Sequence, residues 1–169
     1  PCGLVYEYNP ATDTWSMKPE MPTPRAHLAA AVLDGKIYAV GGRVYTASGT
    51  VEVYDPARET WSSKAGLQVA RWSLSAQALG GGIFAFGGIE SWDLATNVNE
   101  MYDPSSDTWT SKPSMLDWRM DFGSGVVGDC MFAVGGYRGF MAGHTDSTEM
   151  YCLGGEDEWV PRSNVPQPR

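Results

Sequence analysis

The string GSGVVG, Gly123 to Gly128, carries the glycine spacing of a loop that cradles a dinucleotide pyrophosphate. That chemistry requires a strand before the glycines and a helix behind them. Here the string runs directly into CMFAV, a second strand-like segment, so the glycines belong to a strand and no cofactor is expected. The two histidines, His27 and His144, have no ligand-like spacing, and no metal site is expected. No nucleophile, base and orienting group fall together, and no catalytic residue is predicted. Net charge is −8, and most carboxylates in such a chain are simply solvated. The same balance argues against nucleic acid or an anionic membrane surface as partner, since both require a cationic footprint. No apolar run reaches the roughly 18 residues of a helical membrane span. Cys2, Cys130 and Cys152 form neither a C-x-x-C pair nor an even disulfide framework. Cys130 and Cys152 fit neighbouring strands, and they are read as two buried free thiols in a reducing, cytoplasmic compartment.

What does recur is arginine, tryptophan, tyrosine and glycine. Arg25, Arg71, Arg119 and Arg169 are spaced 46, 48 and 50. Trp15, Trp61, Trp109 and Trp159 keep the same spacing. Tyr8, Tyr54, Tyr102 and Tyr151 follow at 46, 48 and 49. The glycine pairs Gly41–Gly42, Gly87–Gly88 and Gly135–Gly136 fall at intervals of 46 and 48. Markers that agree on a period of this length define a stacked-repeat architecture.

The elements that position these residues are strands. LAAAVLDGKIYAV reads as strand, tight turn and strand, with Asp34-Gly35 accepting the positive φ of a two-residue hairpin. Gly80 to Gly82 and Gly128-Asp129 hold the matching place in later units. The glycine pair ends the second strand, where backbone must pass close to something or bend. A variable loop follows, then a third strand (TVEVYDP, VNEMYDP, STEMYCL) and a short fourth strand carrying the tryptophan. The second strand is apolar on both alternating faces, so its sheet is covered on both sides. Four-stranded sheets of this kind, repeated at this period, are the blades of a propeller. The repeat tyrosines and tryptophans are expected in the core.

The double glycine, the tyrosine before Asp-Pro, the tryptophan seven residues on and the arginine ten residues later resemble the kelch repeat. MPTPRAHLAAAVLDGKIYAVGG followed by VEVYDPARETW is similar to the kelch domains of kelch-like (BTB-kelch) ubiquitin-ligase adaptors. The resemblance covers nearly the whole chain. The third unit departs from it at MYCLGGEDEW, which lacks Asp-Pro and has one extra residue before Trp159. The fold class implied is all-β: a partial kelch β-propeller of three four-stranded antiparallel blades plus half a blade. The expected divisions are 1–21 (end of a blade), 22–66, 67–114 and 115–160 (blades), and 161–169 (start of the next). That is about half of the six-bladed ring typical of the family. Several hundred Å² of bared apolar surface, at about 25 cal/mol per Å², is worth on the order of 10 kcal/mol. The rest of the propeller, or a second copy, is therefore expected to close the ring.

Strand directions place the loop after each glycine pair on the side of the ring from which the arginine enters. Loops 43–50, 89–98 and 137–147 thus share a face with Arg25, Arg71 and Arg119. Three tryptophans outside the repeat, Trp72, Trp92 and Trp118, map there, as do Tyr45, Tyr137, Arg138 and Phe140. These residue types anchor protein contacts, and loops on a rigid scaffold carry binding. The face is expected to take a protein or peptide ligand. For Arg25, Arg71 and Arg119 a pairing role inside the blade competes with ligand contact. In peptide-binding members of the similar family, arginines at or near this place receive acidic ligands. The resemblance implies the substrate-recognition part of a cullin-RING E3 ubiquitin ligase adaptor. Its alternatives are an F-box or cytoskeletal kelch scaffold, or a kelch-type enzyme such as a sugar mutarotase or oxidase. A copper-radical oxidase would need two histidines, tyrosines and a cysteine converging at the axis, and these cannot be assembled here.

Overall fold

The structure, a computed structural model, describes residues 2–90 and 94–166, so Trp92 and Arg169 lie outside the described residues. Every named element is a strand. β1 (Val5–Asn9) and β2 (Thr14–Lys18) form a two-stranded sheet. The first full blade is β3 (Ala29–Leu33), β4 (Lys36–Val40), β5 (Val51–Asp55) and β6 (Thr60–Lys64), paired in that order. The second is β7 (Ser75–Leu79), β8 (Gly82–Phe86), β9 (Asn99–Asp103) and β10 (Thr108–Lys112). The third is β11 (Gly123–Val127), β12 (Cys130–Val134), β13 (Thr148–Cys152) and β14 (Trp159–Arg162). All pairings are antiparallel. GSGVVG is thus the innermost strand of the third blade and its turn.

Short sheets of this kind are stable because each buries its broad faces against the next. Tyr38, Val40 and Val53 of the first blade meet Ala76, Ile83, Tyr102 and Trp109 of the second in one apolar layer. Phe84 and Phe86 of the second meet Met131, Tyr151 and Trp159 of the third in another. Within each blade the repeat tyrosine lies opposite the repeat tryptophan, as in Tyr102↔Trp109. Trp61 and Trp109 also reach across to the preceding unit, donating from Nε1 to the carbonyls of Pro19 and Ala65.

The first two glycine pairs weld blade to blade. The N–H of Gly42 donates to the Arg71 carbonyl and that of Gly88 to the Arg119 carbonyl, each at 2.8 Å. A Cβ on Gly87 would stand 2.8 Å from the Arg119 carbonyl oxygen and 2.6 Å from the Phe122 ring. Both glycines of each pair also have positive φ. Close approach and backbone conformation therefore demand glycine together.

Two expectations need correction. Cys130 and Cys152 are not buried free thiols: they form a disulfide, and both are half-buried. They stand directly opposite on β12 and β13, with Cα atoms 4.0 Å apart. The Leu153 N–H bonds to the Asp129 carbonyl, so the cysteines occupy a pair with no hydrogen bond of its own, where side chains come closest. Tyr8 and Trp15 are exposed rather than core because no blade covers the β1–β2 sheet, and Trp61 is half-buried because only that two-stranded sheet precedes its blade. The turn of the third unit, despite lacking Asp-Pro, closes with Gly154 at φ 76° and leaves that blade four-stranded.

Candidate partner-binding face

Each blade is clasped internally by its arginine. Arg25, Arg71 and Arg119 are 3%, 0% and 0% exposed. Their guanidinium groups pair with Glu52, Glu100 and Glu149 on the third strand of the same blade. Arg71 also donates to the carbonyls of Ala85, at 3.1 Å, and Val98, at 2.7 Å. Burial pushes the Arg71 guanidinium below its usual pKa, and Glu100 opposes that. Each glutamate spends its remaining lone pairs on the crossing segment, as when Glu100 accepts from the Gln68 N–H at 2.8 Å. These buried arginines act as struts inside their blades. The glutamates were missed in the sequence, although they recur 48 and 49 residues apart, always two before the tyrosine.

The loops do gather on one side. The residue after each arginine bridges to the residue after the glycine pair: Ala26 to Arg43, Trp72 to Ile89, and Met120 to Tyr137. Two residues past each arginine, His27, Ser73 and Asp121 take positive φ. Successive ones are linked, Ser73 N–H to the His27 carbonyl and Asp121 N–H to the Ser73 carbonyl. A chain of inter-blade bonds thus fixes the base of the face.

On this base stand the aromatic candidates. Tyr45 is 94% exposed, Phe140 92% and Trp118 49%. Trp72 is half-buried, with the Arg43 guanidinium 4.2 Å above its ring and the His27 ring 5.2 Å away. Tyr137 packs against His144 at 5.0 Å. Arg138 is tied to Asp117 at 2.6 Å. Arg43, Leu116 and Met141 join the face without having been singled out, because nothing in their spacing marks them. No group of three or more His, Cys, Asp or Glu side chains among the described residues is arranged to hold a metal ion.

Blades of four antiparallel strands, clasped by arginine and welded by glycine pairs, make this chain a segment of a β-propeller. The Kelch motif matches residues 24–68, 73–116 and 119–166, and the chain belongs to the kelch family. It is similar to the human Influenza virus NS1A-binding protein, 57% identical over 35 residues, which is 21% of this chain and 6% of that protein. The solved structure of YjhT superposes with a TM-score of 0.87 at 16% identity, covering 98% of this chain and 60% of its own. The chain therefore spans only part of the length of these relatives.

Proposed function

We propose that this chain is a protein-binding kelch module and not an enzyme, and that its partner lies across the face built by the loops after the glycine pairs. One observation carries the reading: Tyr45, Trp118 and Phe140 are exposed on loops of one side, over a base of inter-blade hydrogen bonds. Large aromatic side chains held out by a rigid scaffold are what protein interfaces use as anchors. The kelch-like resemblance and the local similarity to the human protein support a finer assignment, the substrate-recognition part of a cullin-RING ubiquitin ligase adaptor.

Tyr45→Ala and Trp118→Ala test the reading. Both side chains are exposed, so thermal stability is expected to hold while capture of protein partners falls. Capture that is unchanged in the double variant defeats the proposal. The ligase assignment is checked separately, by whether ubiquitination of a captured protein depends on the same two residues.

The ring is closed by further propeller or by a second copy. Support comes from the exposed row Tyr6, Tyr8, Trp15 and Met17 on one side of the β1–β2 sheet. In the full blades the corresponding tyrosines are buried by the preceding blade.

A further inference from the structure

The third unit ties its loop through side chains that the other two units lack. The Asp117 carboxylate accepts from Arg138 at 2.6 Å and from the hydroxyls of Thr145 and Ser147 at 3.0 Å each. The positions equivalent to Asp117 carry Thr23 and Val69, and those equivalent to Arg138 carry Val44 and Glu90, so neither other unit can form this tie. The loop is further closed on itself, Arg138 N–H to the Gly143 carbonyl and Gly143 N–H to the Gly139 carbonyl, both at 2.9 Å. At its tip Phe140 and Met141 are 92% and 95% exposed. Leu116 and Trp118, on either side of Asp117, are exposed beside it.

Ordering a loop costs conformational entropy during folding, and Phe140 and Met141 return no internal packing for it. The return comes on association, where a pre-ordered anchor has less freedom left to lose. Charge narrows the partner. Arg138 is neutralised by Asp117, and Arg119 is buried against Glu149. The remaining arginine of the face, Arg43, is half-buried over the Trp72 ring, while the carboxylates Glu90 and Asp121 are exposed there. An apolar centre with an acidic border complements apolar side chains framed by lysine or arginine.

We infer that Leu116, Trp118, Phe140 and Met141 form a pre-ordered anchor for an amphipathic, basic protein segment, with Asp117 and Arg138 as positioning residues. This rests on the reading of the face as a protein-binding one and names the chemistry of the partner.

The test uses the full-length polypeptide carrying this chain. The probe is a fluorescent amphipathic helix of leucine and lysine, with its leucine–glutamate counterpart as control. The basic helix is expected to bind and the acidic one not. The double variant Phe140→Ser/Met141→Ser weakens binding roughly tenfold or more. Asp121→Asn weakens it about threefold and flattens its salt dependence. Arg138→Met keeps the apolar residues but slows association, because the loop is no longer pre-ordered. Equal binding of both helices, or binding indifferent to Phe140 and Met141, overturns the inference. If Tyr45 and Trp118 still govern partner capture in that case, the broader reading of the face survives. If they do not, both fall.

Discussion

At the residue scale, the arginine–glutamate clasp is the costliest feature of each blade to disturb. Two opposite charges removed from water hold only while both are present with their hydrogen bonds complete. Glu100→Ala strands the Arg71 charge inside the blade and takes the acceptor from the Gln68 N–H. It is expected to cost about 3–5 kcal/mol, read as a lowered denaturant midpoint. A second residue-level feature concerns acid. The Tyr102 hydroxyl and then the Ala65 N–H hold the Asp107 carboxyl below its ordinary range. Ser105 does the same for Asp103, and Arg58 for Asp55. A carboxyl whose pKa is lower in the folded chain contributes stability that is complete above the unfolded value, near 3.9. That contribution is lost as pH falls through the depressed folded values. Melting temperature is therefore expected to drop as pH is lowered below about 4, and less steeply in Asp107→Asn. Parallel pH profiles for the two proteins would remove this account.

At the element scale, the glycine pairs end strands and join blades at once. A side chain at Gly87 overlaps the Arg119 carbonyl and the Phe122 ring, whereas one at Gly135 meets only the Thr145 carbonyl oxygen, at 3.5 Å. Both positions have positive φ, which costs a non-glycine residue about 1–2 kcal/mol. Gly87→Ala adds the overlap and is expected to destabilise clearly more than Gly135→Ala in matched denaturant titrations. Equal losses would show that the pair serves backbone conformation alone. The third blade has its own tie, the Cys130–Cys152 disulfide across its two central strands, β12 and β13. It lies on the side of β12 and β13 that carries the half-buried Phe132 and Met150; the counterparts of Phe132 in the other blades, Tyr38 and Phe84, are covered by a following blade.

At the scale of the whole molecule, three blades and a half-blade share two complete interfaces and leave an apolar row on β1 and β2 uncovered. Apolar area left in water drives association when a complementary surface is available. Residues 1–169 alone are expected to elute from gel filtration above their monomer mass of 18.4 kDa. Trp15→Ser/Met17→Ser should shift them towards it. A monomer with a cooperative melt would show that the half ring satisfies itself.

The repeat, the blade and the side on which the loops emerge were all legible in the amino-acid order. They follow from period and alternation, which are local properties of a chain whose neighbouring units bury one another. Spacing showed that Arg25, Arg71 and Arg119 matter but not for what. Whether a guanidinium faces solvent or a carboxylate depends on Glu52, Glu100 and Glu149, some 27 to 30 residues onward, being brought across the sheet. Strand register likewise decided that Cys130 and Cys152 meet, since a shift of one residue would send them to opposite faces. Sequence order determined the elements here, while burial and charge partners depended on which distant residues the fold brought within a few ångströms.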